Sequence, residues 1–207
     1  MTILQFPAGI LVKRQDFGAM NFDLTFANQD SGAVQTAISG PQRWSCTMSS
    51  EELLDQDQAA RWRTLVLSLK GRVNHLAVYD LLNPAPRGTV RGTLTAAAAA
   101  PAGASMLQIN AGSSQAGKVF RMGDWIGVNQ GGTNRQLLHL QQDYAVDGNG
   151  IVTVFFEPVL RVAVGQGSSI VWDKPTCLMK RNDATTTWAS EGAVQGGFKL
   201  DLQEQWF

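Results

Sequence analysis

Residues 40–82 read GPQRWSCTMSSEELLDQDQAARWRTLVLSLKGRVNHLAVYDLL, and their pattern decides the fold. Trp44, Cys46 and Met48 alternate with Arg43, Ser45 and Thr47, which is the period of a strand with one apolar face. Ser49 followed by Glu52 reads as a capping box. The acids Glu51, Glu52, Asp55 and Asp57 come before the bases Arg61, Arg63 and Lys70, the order that a helix dipole favours. A helix is therefore expected over about 50–70. Ala59, Trp62, Val66 and Leu69, with Leu65 beside them, make one apolar stripe facing a core. Gly71 supplies the stop, because a helix C-terminus favours a left-handed residue. His75, Ala77 and Tyr79 then alternate with Leu76, Val78 and Asp80 as a second strand. The unit is strand, helix, strand, in a chain that otherwise reads as β.

Toward the N-terminus, a strand is expected at 10–12, after Pro7. Met20, Phe22, Leu24 and Phe26 alternate with Asn21, Asp23 and Thr25 as an amphipathic strand. A turn at 28–32, a short strand at 34–38 and a second turn at Gly40-Pro41 lead into the deciding stretch. Toward the C-terminus, Asn83, Pro84, Pro86 and Gly88 form a linker. Strands follow at 89–95, 106–110, 118–121, 124–129, 135–143 and 151–157, with 96–100 a loop or strand end. Gly-rich turns at 130–132 and 147–150 join segments suited to hairpins. Segments 159–164 and 169–172 add two more strands, and Pro175 marks a second junction. Beyond it, strands are expected at 176–180, 185–188 and 198–203.

Residues 1–86 hold few strands for a closed core, and small isolated sheets rarely stand alone, so the segments from 175 onward are their natural completion. The expected fold is mainly β. Residues 1–86 and 175–207 form a β-sandwich with one packed α-helix, and residues 87–174 form an inserted small antiparallel β-barrel or sandwich.

Seventeen basic and seventeen acidic residues cancel, so no basic stripe for nucleic acid is present; Lys13, Arg14, Arg61 and Arg63 are too isolated to make one. Cys46 and Cys177 lie far apart in apolar contexts, which favours buried free thiols over a disulfide. The N-terminus lacks the charged, apolar and cleavable regions of a signal peptide. The longest uncharged run, 92–117, is rich in Ala, Gly, Thr and Ser and unsuited to spanning a bilayer. A soluble protein made in a cytoplasm is expected, without membrane insertion.

No reaction site is assembled by spacing. His75 and His139 have no partner at a metal-ligand interval, GxSxG is absent, and neither cysteine has the surroundings of a catalytic thiol. The AGSSQAG run at 111–117 lacks the Lys-Ser/Thr of a phosphate-binding loop. Asp147 and Asn149 resemble the start of a calcium loop whose closing Glu is missing, so a hairpin turn is favoured. Asp124 and Glu157 could in principle be the paired carboxylates of a glycosidase, but nothing in their spacing makes them converge. Neither enzymatic activity nor a cofactor or metal is expected. Six tryptophans remain, Trp44, Trp62, Trp125, Trp172, Trp188 and Trp206. The terminal Trp206-Phe207 pair either closes the core or forms a subunit interface, because two such rings seldom lie in water.

Three patterns in this order resemble small minor tail proteins of long-tailed phages. The first is Arg43-Trp44 after a Gly-Pro turn, followed by EELLDQDQAARWRTLVLSLKG and a strand. The second is Gly123-Asp124-Trp125-Ile126-Gly127-Val128, then Gln136-Leu137 and Glu157-Pro158-Val159-Leu160-Arg161. The third is the 175–180 segment, Trp188 and a closing strand ending in Glu204. The resemblance covers the chain from about Ser31 onward. It implies a distal tail protein of the virion tail tip: a β-sandwich with a helix forming a ring, typically a hexamer, between the tail tube and the hub and host-recognition proteins. It also implies an outward-projecting inserted domain akin to a carbohydrate-binding fold. A host-attachment module whose Trp125 or Trp172 stacks on surface glycans is the alternative.

Overall fold

The alternating Trp44, Cys46 and Met48 segment is the inner half of a much longer strand. In a computed structural model, which describes residues 2–28, 31–191 and 194–205, the N-terminal part contains β1 (Ile3–Gln5), β2 (Arg14–Ala27), β3 (Val34–Ser49), α1 (Gln56–Ser68) and β4 (His75–Val78). The middle supplies β5 (Leu94–Ala96), β6 (Met106–Asn110), β7 (Val119–Phe120), β8 (Trp125–Val128), β9 (Gln136–Leu140), β10 (Tyr144–Ala145), β11 (Ile151–Glu157) and β12 (Ser169–Ile170). The last part supplies β13 (Cys177–Arg181), β14 (Ala189–Glu191), β15 (Val194–Gly196) and β16 (Lys199–Glu204). The fold is mainly β, consistent with a sandwich-type β architecture carrying one packed helix.

The helix begins later than the capping-box pattern suggests. Ser49 closes β3, where it is paired with Arg14 on one side and Lys199 on the other. Glu51 is drawn to Lys13 Nζ at 2.9 Å, and Leu54 N–H donates to the Gln195 carbonyl at 2.9 Å. With residues 49–54 committed to β contacts, the cap falls to Asp55, whose carboxylate accepts the Gln58 N–H at 2.7 Å. Ala59, Trp62, Leu65, Val66 and Leu69 are buried in the expected stripe. Phe198 stacks with both Trp62 and Trp188, at centroid distances of 5.9 and 5.7 Å. Past the helix, Lys70 and Gly71 both adopt positive φ, the left-handed turn that ends it.

One six-stranded sheet has the order β1-β4-β13-β16-β3-β2, so its strands come from both ends of the sequence. Four differences from the sequence pattern are local. The first strand is Ile3–Gln5 rather than 10–12, and it runs parallel to β4. Strand β4, flanked by β1 and β13, is buried at every position instead of alternating. Gly40-Pro41 does not turn the chain. Strand β3 runs through it, and the register against β2 shifts around Phe22, because a proline lacking an N–H is tolerated in a strand at such a bulge. The 185–188 segment is not a strand; the next one is Ala189–Glu191.

The middle strands form a second six-stranded sheet, β12-β5-β6-β11-β9-β8, entirely antiparallel. Gly127 and Val171 exchange both backbone hydrogen bonds, at 2.7 and 2.9 Å, which joins the two edge strands and closes the sheet into a barrel. The turn at 130–132 joins the paired strands β8 and β9. The turn at 147–150 does not join a hairpin, since β10 pairs with β7 and β11 with β6 and β9. The 159–164 segment forms no strand; it contributes a bridge from Val164 to Ala100 and backbone hydrogen bonds between Leu160 and Gly103 and Ala104.

Alternation in β8 and β9 divides their side chains between two cores. Ile126, Val128, Leu138 and Leu140 fill the barrel, while Trp125 and Leu137 point out and join the core of the first sheet and helix.

Candidate interaction surface

The β2–β3 pair extends well past the sheet that roots it. Strand β16 covers β3 only from Ser45 to Ser49, whereas β2 and β3 stay paired out to Ala27 and Val34. From Phe22–Gly40 outward the two strands form a ribbon whose outer edges pair with nothing among the described residues. Pairing places Phe22, Leu24, Phe26 and Ala37 on one face and Ile38, Thr25, Thr36 and Val34 on the other. Phe26 is 60% exposed and Ile38 88%, with Leu24 and Val34 also exposed. The sequence pattern anticipates an amphipathic strand here, and the described residues provide no cover. Two-stranded ribbons with apolar residues on both faces are marginal in water, and exposed strand edges invite pairing.

The junction between sheet and barrel is a second candidate. Trp44 and Trp125 meet edge to face at 5.0 Å; Phe17 approaches both rings at 5.7 Å, and His139 lies 4.8 Å from Trp125. The Trp44 indole N–H donates to the Leu137 carbonyl at 2.9 Å and the Trp125 indole N–H to Asp80 Oδ2 at 3.0 Å. Glu204, fully buried, accepts the Trp44 backbone N–H at 2.9 Å and pairs with the Arg161 guanidinium. Burial pushes the His139 imidazole below its ordinary range, with Asp80 and Asp124 opposing. Above this junction a cleft of about 420 Å³ has an aromatic floor and a rim of Gln42, Asp80, Gln141 and Glu157.

No family model and no curated protein matches the chain.

Trp125 lines the junction cleft but is 8% exposed, so it is a joint between sheet and barrel and offers no open ring face for a sugar. Trp172 is half-buried; its indole N–H donates to the Gly92 carbonyl at 2.7 Å, and the Arg91 guanidinium lies 5.1 Å from its ring centre. Trp206 and Phe207 lie outside the described residues. Asp124 is a loop staple whose carboxylate accepts backbone N–H groups of Arg87, Gly88 and Arg121 at 2.7, 3.1 and 2.8 Å. It is thereby turned away from any role opposite Glu157, which is exposed. Asp147 accepts the N–H groups of Asn149 and Ile151, a turn geometry. Among the described residues, no group of three or more His, Cys, Asp or Glu is placed to hold a metal. Cys46 and Cys177 are buried free thiols. The ribbon was the feature that sequence reasoning missed, although its signal was present: the 13 residues between Asp16 and Asp30 carry a single charge, Asp23, which the structure places among exposed apolar side chains.

Proposed function

We propose that this chain is a structural protein of a long-tailed phage tail tip, a ring-forming distal tail component that joins the tail tube to the hub and host-recognition proteins. The observation that carries this reading is the exposed apolar ribbon of β2 and β3, a surface suited to another protein rather than to water. The ordered resemblance in the sequence supplies the virion setting, and a sheet open at both ends is suited to repeated association. Electron microscopy of the purified protein should show rings with a central channel, and mass spectrometry should find the chain in virions. A monomer at high concentration, together with absence from virions, overturns the reading.

The polar rim of the junction cleft, Gln42, Asp80, Gln141 and Glu157, favours a second reading, attachment to host glycans through hydrogen bonds to sugar hydroxyls rather than by stacking on Trp125. Binding on a glycan array that is lost on Glu157→Ala supports it, and an array without binding removes it.

A further inference from the structure

Resting on the ring-forming reading above, we propose that the β2–β3 ribbon of one copy seats in the groove between α1 and β1 of the next copy. The six-stranded sheet ends in β2 at one edge and in β1 at the other, so knob and receptor lie on opposite sides of one subunit. That is the arrangement of a heterologous interface, which propagates head to tail and closes when the rotation between copies permits.

The groove has the right shape and chemistry. A cavity of about 330 Å³ lies between β1 and α1, walled by Leu4, Pro7, Ala60 and Leu65, with Arg61 at its rim. A second cavity of about 440 Å³ shares Gln5 and Pro7 with it and reaches Lys174. Neither lining contains an acid. The ribbon is the counterpart: between Phe17 and Gln42 the only charged residues in the sequence are Asp23 and Asp30. Lys174, and Arg61 with its Asp57 partner at 2.8 Å, therefore face an apolar insert whose one charge among the described residues of 18–41 is Asp23. Lengths also match. The ribbon segment Phe22–Ala27 extends about 20 Å at strand rise, and the 13 residues of α1 extend about 20 Å at helical rise. The outer edge of β1 is unpaired among the described residues, so it can also receive main-chain hydrogen bonds from an incoming strand.

The test uses the full chain with Phe26→Cys and Thr64→Cys made as separate variants. Phe26 and Thr64 are exposed, whereas Cys46 and Cys177 are buried and do not compete. Under a mild oxidant, the mixed variants should yield a disulfide-linked dimer that neither variant yields alone. Ile38→Asp should abolish the assembly by native mass spectrometry while leaving the circular dichroism unchanged. Wild-type rings accompanied by no mixed cross-link, or by Phe26→Cys linking to itself, overturn this docking and leave the ring reading standing. An Ile38→Asp variant that assembles fully does the same. A wild-type chain that stays monomeric at every concentration overturns both.

Discussion

Removing the carboxylate of Glu204 should be among the most damaging single changes in this protein. Glu204 ends β16 with no exposed surface, and the partner it neutralises, Arg161 of the barrel, is only 11% exposed. Burial pushes the Arg161 guanidinium below its ordinary range, and Glu204 is the group that opposes this. Glu204→Leu leaves a largely desolvated guanidinium without its carboxylate and orphans the Trp44 N–H, a loss of about 3–5 kcal/mol. The double variant Glu204→Leu, Arg161→Met removes both charges together and should recover the ion-pair part of that loss, because a buried ion pair gains little over an apolar replacement, while the Trp44 N–H stays orphaned. Urea unfolding followed by tryptophan fluorescence is well placed to read this, since Trp44 and Trp125 sit at the junction. The single variant should lower the midpoint by about 1–2 M urea, and the double variant should fall between it and wild type. A single-variant cost under about 1 kcal/mol would show that water reaches the pair, and the account of the junction would fail.

Acid should destabilise the protein through His75, which burial holds at a pKa of about 4 against an ordinary 6.5, with Lys180 adding to the shift. The unfolded chain takes up a proton below pH 6.5 that the folded chain refuses, so this stability is complete above pH 6.5. It falls as pH drops toward 4, by no more than about 3 kcal/mol. Urea midpoints measured across that window should slope less in His75→Gln; an unchanged slope refutes the assignment. Burial also raises the Cys46 thiol to about 12 and the Cys177 thiol well above its ordinary value. Neither should react with a thiol reagent at pH 8 until the protein is denatured, and rapid labelling of the native chain contradicts their placement. Asp55→Ala should lower stability by about 1 kcal/mol, read as a drop in melting temperature, whereas Ser49→Ala should not act through the helix.

The helix stripe and most barrel strands were legible because their periodicity is local. What misled was a competition between two caps. Ser49 and Glu52 match the capping-box spacing, but so do Asp55 and Gln58, and only long-range pairing of Ser49 with Arg14 and Lys199 decides between them. Gln58 itself spends its side chain on Leu11 N–H and the Gly9 carbonyl, contacts that no local pattern encodes. The same holds for Trp125: a tryptophan in an alternating strand suits a ligand platform or a joint equally well, and only the approach of Phe17 and Trp44 makes it a joint.

Strand closure separates the two halves of the molecule in what they offer other proteins. The barrel consumes its own edges through Gly127 and Val171, so its backbone has little with which to recruit a neighbouring strand. The six-stranded sheet cannot close, because β1 is only three residues long and runs parallel to β4, while β2 leaves the sheet as a ribbon. Natural sheets usually protect such edges with charge, proline or short strands. Here β1 is short, but its outer edge is unpaired among the described residues and stays open to a neighbour. The ribbon at the other edge keeps Leu24, Phe26, Val34 and Ile38 exposed, and the alternation that selects them is the pattern of a strand expecting cover. The pattern makes physical sense if the cover belongs to another chain, which places the burden of assembly on the sheet and leaves the barrel free to face outward.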